Sequence, residues 1–197
     1  MKHLSWLLCV LFLSPSVWAF DSAQLAQQLA ANDVVRGKFV QEKHLRSLAM
    51  PLSSRGQFVL SKQLGLLWQV QQPFAQSYRI DGQGVALLTA SGWQSQPGQS
   101  VAARQSQLFL AVLQGDQRAL EADFNLQLQG STEQWQLSLL PKALFLQQIF
   151  KVIEIYGGAL VERIELHETQ GDRTVMRMLN SQADRELADD EQHAFQP

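Results

Sequence analysis

From residue 34 to residue 80, apolar and polar side chains alternate through most of the chain. Such a period of two belongs to strands with one greasy face and one wet face. The first run, residues 34–43, turns near Met50-Pro51 and returns as residues 54–60. A second turn over 61–65 leads into Leu66-Leu67-Trp68-Gln69-Val70, and Gln72-Pro73-Phe74 closes the run. Residues 77–80 and 85–89 flank Asp81-Gly82-Gln83-Gly84, where Asp-Gly predicts a hairpin with a type I′ turn. Further on, Phe124, Leu126 and Leu128 alternate with Asn125, Gln127 and Gln129, and Trp135, Leu137 and Leu139 alternate up to Pro141. A link over 142–148 leads to a strand over 149–156, with Gly157-Gly158 as a two-residue turn. Residues 161–167 alternate again, Gly171-Asp172-Arg173 turns, and 174–179 supply the last strand.

The period changes in two places. Leu25, Ala26, Leu29 and Ala30 fall on one stripe at three-to-four spacing, with Asp21 or Ser22 as the N-cap. Leu108, Phe109, Val112 and Leu113 fall on a second helical face, which Gly115-Asp116 ends before a short helix to Leu120. A polar, loop-like segment, 91–100, precedes it. The expected class is mainly β (α+β): a large antiparallel sheet with short helices on its concave side. After Asn180 the composition turns acidic (Asp184, Glu186, Asp189, Asp190, Glu191), and a loose tail is expected from about residue 180.

Residues 1–19 read as a signal peptide. Lys2 and His3 are positive, 4–13 are nearly all apolar, Pro15 breaks the run, and Val17-Trp18-Ala19 offers small residues at the cleavage positions. An apolar run of about ten residues is half of the ~20 that a spanning helix needs. The expectation is export to the periplasm with Phe20 as the mature N-terminus, leaving one domain over 20–197. The single cysteine, Cys9, falls inside the signal segment without small residues before it, so no lipid anchor and no disulfide is expected. Without Lys2 the chain carries 15 basic and 18 acidic residues, a net charge of −3, and no basic stripe. Nucleic acid is therefore not an expected partner.

Motifs for chemistry are missing. The sequence has no G-x-S-x-G, no H-E-x-x-H and no Walker loop. His44, His167 and His193 lie far apart without metal-ligand spacing. His167-Glu168 is a poor dyad, because successive strand residues point to opposite faces. No catalytic residue, metal or cofactor is expected. What remains is the grease: Phe39, Phe58, Leu66, Trp68, Val70, Leu87, Phe109, Leu113 and Trp135 are the candidate ligand-binding residues. The same side chains would form an ordinary core if the helices close over them, and periodicity leaves both readings open.

The order Phe39-x-Gln41-x-Lys43, then Gly56 with an apolar strand, then Leu66-x-Trp68 and Pro73 resembles the LolA-like family of periplasmic lipoprotein carriers. The resemblance covers roughly residues 21–180. It implies an unclosed antiparallel β-barrel with helices as a lid over an acyl-binding cavity. It also implies a monomer that takes a lipoprotein or other acylated lipid from an inner-membrane transporter and yields it to an outer-membrane receptor. Where the family's lipoprotein carriers have Arg-Pro before the Leu-x-x-Trp strand, this chain has Lys62 and Gln63. Lys62 is the candidate lid contact, and Lys keeps the charge while losing the planar five-donor fork. The resemblance extends to lipid-sensing domains of envelope regulators, so a sensing or structural role without transport is the alternative.

Overall fold

The computed structural model describes residues 20–96 and 101–196. Eleven strands follow one another: β1 (Val34–His44), β2 (Leu52–Ser61), β3 (Gly65–Gln72), β4 (Gln76–Asp81), β5 (Gly84–Thr89), β6 (Gly92–Ser95), β7 (Phe124–Gly130), β8 (Trp135–Pro141), β9 (Phe150–Gly157), β10 (Val161–Glu168) and β11 (Arg173–Asp184). They form a single antiparallel sheet in the order β6-β5-β4-β3-β2-β1-β11-β10-β9-β8-β7. Sequence neighbours pair throughout except at the centre, where the first and last strands meet, Val34 opposite Asp184 and His44 opposite Arg173. The edges β6 and β7 do not pair, so the barrel is unclosed, as expected.

Alternation sorts the side chains onto two faces. Val35, Phe39, Phe58, Leu60, Leu66, Trp68, Leu137, Leu139, Ile153 and Ile155 point to the concave side and share one buried cluster. Helices α1 (Ser22–Ala30), α2 (Val101–Gln114) and α3 (Gln117–Asp123) cover that side, and the link after β8 carries a single turn, α4 (Leu144–Gln147). Asp21 is the N-cap of α1. It accepts from the Gln24 N–H at 2.8 Å, while the Gln24 side chain accepts from the Asp21 N–H at 3.1 Å, satisfying two otherwise orphaned donors.

Two turns differ from expectation. Between β4 and β5 the loop residues are Gly82 and Gln83, and the positive φ (141°) falls on Gly84, not on the Asp-Gly pair of a type I′ turn. Asp81 explains this: its Oδ1 accepts from the N–H groups of Gln83 (2.8 Å) and Gly84 (3.2 Å), a side-chain-made turn. The connection after Gly157 spans 158–160 and closes with Gly158 N–H donating to Leu160. Part of the polar segment 91–100, namely 97–100, lies outside the described residues, as does the signal segment 1–19.

The acidic stretch after Asn180, expected as a loose tail, holds two elements: the end of β11 and helix α5 (Asp189–Phe195). Phe195 is buried on the convex face against Val34, Val59 and Leu67. Arg36 reaches across to this helix, donating to Glu191 at 2.8 Å and Asp184 at 2.7 Å. Arg79 donates to the Phe195 carbonyl at 3.0 Å and stacks on Trp93. The Arg36 guanidinium holds the Glu191 carboxyl below the usual carboxylate range; at Asp184 the Arg185 N–H does so first and Arg36 second.

Depressed carboxylates contribute stability that is complete above their unfolded pKa of roughly 4 and is lost as pH falls through the lower folded values. Helix α5 should thus stay docked at neutral pH and loosen below about pH 4. Protection factors of the amides of residues 189–195, followed from pH 7 to pH 3, should fall more than those of β1. An equal fall would show that Arg36 does not hold the helix.

Candidate functional site

The predicted residues come together, but as packing. Phe39 and Trp68 stack with centroids 3.7 Å apart, Phe58 lies 6.2 Å from Trp68, and Phe109 meets Trp68 edge-on at 5.0 Å. Leu66, Leu113 and Trp135 belong to the same buried cluster, and Val70 is partly buried against it. Leu87 is half-buried on β5, opposite Tyr78. Phe109 thereby plugs the hollow of the sheet from α2. Beneath the helices two voids of about 20 and 10 Å³ remain, each with space for roughly one water.

Open space lies on the other side of α2. A cavity of about 490 Å³ runs between α2, α3 and α4 and the ends of β3 and β4. Leu108, Ala111, Leu120, Phe124, Leu146 and Phe150 are among its apolar walls, and Lys62, Asp81, Arg104 and Asp123 stand among its polar ones. Of the predicted site residues only Lys62 borders this space. Residues 108–113 are all apolar, Leu-Phe-Leu-Ala-Val-Leu, so this part of α2 is greasy nearly all round, while Arg104, Gln105, Ser106 and Gln107 precede it. A helix of that kind is buried on more than one side. Here Phe109 meets the aromatic cluster, while Leu108 and Ala111, three residues apart, face the cavity. The unbroken run was the sequence signal for this second face; reading one stripe missed it.

Few polar contacts bind the helices to the sheet. Lys62 Nζ donates to the Ala30 carbonyl at 2.8 Å, a cation at the C-terminal end of α1. Gln28 donates to the Gly158 carbonyl at 2.6 Å, which also accepts from the Trp135 ring N–H at 2.7 Å. Gln107 donates to the Asp81 carbonyl at 2.8 Å, joining α2 to the β4–β5 turn. Each bond of this sort is worth about 0.5–1.5 kcal/mol net, so packing, not polar latching, dominates the closure. Nothing in the sequence marked Gln28 or Gln107, since isolated glutamines on a helix carry no pattern.

Histidine placement follows the face rule. His167 Nε2 lies 3.0 Å from Glu154 and 3.5 Å from Glu165 on the convex face. Glu168 turns the other way, 3.8 Å from Lys43. Among the described residues this is the one trio with metal-capable spacing. Arg163 at 3.1 Å and Arg173 at 3.9 Å already neutralise Glu165, which makes the trio part of an ion-pair network. Burial, then the Glu154 carboxylate, raises the Tyr156 hydroxyl beside it above its ordinary value.

Fold and site together define a class: an unclosed antiparallel barrel whose apolar hollow is covered by helices. The chain belongs to the outer membrane lipoprotein carrier protein LolA-like family, whose profile it matches over residues 14–196. No curated protein sequence matches it. Its fold is similar to that of a LolA superfamily protein from Nitrosomonas europaea, with a TM-score of 0.52 and 11% identity, over 87% of this chain and 97% of that one. It is also similar to a chain of the Pseudomonas aeruginosa MucA/MucB complex, with a TM-score of 0.50 and 17% identity, over 88% of this chain and 58% of that one.

Proposed function

We propose that this protein is a periplasmic carrier, not an enzyme. It shelters acyl chains of a lipoprotein or another lipid beneath its helices, receives them from an inner-membrane transporter and yields them to an outer-membrane receptor. One observation carries the reading: the apolar run 108–113 of α2 meets the aromatic cluster through Phe109 and, through Leu108, Leu110 and Ala111, borders a cavity of about 490 Å³ whose wall on α2 also carries Arg104, Gln105, Gln107 and Gln114. Pockets for small ligands commonly span about 300–1,000 Å³. In the closed arrangement an acyl chain would enter along Leu108 and Ala111 and displace Phe109 from Trp68. The nine candidate residues of the sheet and helices would then line its path.

The energetics fit a carrier. Each buried CH₂ is worth about 0.8 kcal/mol, so a ~16-carbon chain gains roughly 12 kcal/mol by staying out of water. Uncovering Phe109 and Leu113 costs part of that gain, which holds the net grip at a level an acceptor can exceed. Transfer then needs no bond cleavage, only exchange between greasy sites. A single chain encloses the whole path, so the carrier works as a monomer.

Filling the space tests this. Ala111→Trp should occupy the cavity, weaken binding of a palmitoylated probe at least about tenfold, and leave folding stability within about 1 kcal/mol because a void is filled. Native mass spectrometry of the protein purified from the periplasm should show bound lipid in the parent chain and none in the variant. Bare protein from cells, together with no affinity for any acylated probe, would overturn the carrier reading.

A further inference from the structure

Exposed grease collects at one end of the sheet. Met50 and Phe74 are each 78% exposed, Leu52 55% and Leu48 46%. Leu48 and Met50 belong to the connection between β1 and β2, Leu52 opens β2, and Phe74 belongs to the turn between β3 and β4. Register brings the two turns together: Arg55 opposes Gln72, so the residues just beyond them, Leu52 and Phe74, lie at the same end one strand apart. Single exposed leucines are ordinary, whereas four large apolar side chains on adjacent turns form a patch that signals an interaction.

Charge at this end is basic. Lys43 opposes Leu52, His44 opposes Arg173, Arg55 opposes Val40, and Arg46 lies just beyond β1 beside Gln170 and Asp172. Pairing here is mutual: Glu42 holds Arg177 at 2.7 Å, Glu168 lies 3.8 Å from Lys43, Glu165 3.9 Å from Arg173, and Asp172 accepts the Arg46 backbone N–H at 3.0 Å, which leaves the Arg46 and Arg55 guanidinium groups without an ion pair among the described residues. At the far end of the same two strands Asp184, Glu186, Asp189, Asp190 and Glu191 stand against Arg36 and Arg185, so acids outnumber bases there even with Arg36 paired to Asp184 and Glu191. A chain with a net charge of −2 thus presents a positive end and a negative end along β1 and β11. Such a dipole turns the basic end toward an anionic surface and the acidic end away.

The tip is also held. The Arg46 side chain lies against Gly171 and donates to the Gln170 carbonyl at 3.2 Å, which ties the β1–β2 connection to the β10–β11 turn. We propose that the β1–β2 and β3–β4 turns are a docking surface for an anionic lipid bilayer. Met50 and Phe74 insert among the headgroups while Arg46 and Arg55 meet their phosphates. Side chains standing on turn tips beside cations suit a fluid headgroup layer, whereas a folded partner would need a matching concavity. The inference does not depend on the acyl-carrier reading, because the patch lies apart from the cavity at α2.

Flotation of the mature protein with vesicles tests it. Binding to vesicles of equal phosphatidylglycerol and phosphatidylcholine should exceed binding to pure phosphatidylcholine by about tenfold at low salt, since each basic residue near an anionic surface adds to the attraction. Raising the salt should remove most of that difference. The double variant Met50→Asp, Phe74→Asp should bind at least about tenfold more weakly, because it loses apolar insertion and gains negative charge. Leu179→Asp, at an exposed apolar position on the outer face of β11, should bind as the parent does. All three substituted positions are exposed, so unchanged circular dichroism should accompany the loss. No binding by the parent chain, or an equal loss in Leu179→Asp, overturns the proposal. Self-association abolished by Met50→Asp in a parent chain that ignores vesicles would assign the patch to a second copy and overturn it equally.

Discussion

Replacing Phe39 by alanine will remove about 3–5 kcal/mol of folding stability, the cost of lost transfer energy plus an unfilled cavity. Phe39 is 1% exposed and stacks on Trp68 at 3.7 Å, in the middle of the sheet where β1 joins β11. Strands on both sides fix the backbone, so the site cannot collapse around the missing ring. Against a typical total of roughly 5–15 kcal/mol, that loss is a large share. Phe109→Ala provides the contrast. Phe109 touches the same tryptophan, but from a helix with open space behind it. That helix can settle inward, and the loss should be clearly under about 3 kcal/mol. Acyl binding should change in both variants if α2 is a lid, since both rings line the proposed path. Urea unfolding of both proteins measures the difference. Equal losses, with ligand binding unchanged in Phe109→Ala, would make α2 an ordinary part of the core.

Gly56→Ala should cost more than about 3 kcal/mol, beyond ordinary overpacking. A Cβ at Gly56 would stand 1.9 Å from the Gln69 carbonyl oxygen and 2.9 Å from the Phe39 ring. The first clash is with backbone, so no rotamer relieves it; β2 and β3 must separate. Their register already shifts between Arg55 and Gly56, which lets the two chains approach this closely. Gly82→Ala is the internal control, because nothing lies within 4 Å of its Cβ. It should change stability by no more than about 0.5 kcal/mol. Thermal melting of the pair decides: a Gly56→Ala protein as stable as Gly82→Ala would mean that the sheet can bend at this point.

Strands were readable because each residue reports its own face. Leu137 and Leu139 alternate with Gln136 and Ser138, and the structure places the first pair in the core and the second outside it. The helix at α1 was readable for a similar reason, with Leu25 and Leu29 buried as their spacing requires. Phe195 was not. One aromatic in an acidic stretch has no period, and its burial depends on Val34, Val59 and Leu67, all more than 120 positions away. His167 is a mixed case: Glu154 reaches it through the pairing of β9 with β10, whereas Glu165 lies two residues back on the same face of its own strand.

By itself, then, the sequence determined the kind of fold: antiparallel strands, helices in the middle and at the start, and a set of inward-facing apolar residues that includes Phe39, Phe58, Trp68 and Trp135. Local periodicity suffices for this, because the strand and helix repeats each act within a few residues. Only the tertiary structure decided that β1 and β11 close the centre of the sheet, that Phe109 fills its hollow, and that a cavity of about 490 Å³ lies beyond α2 along Leu108 and Ala111. Which apolar side chain ends as packing and which as a cavity wall depends on how closely distant elements approach. That distance is set by the volumes of all the side chains between them, and no local pattern encodes it.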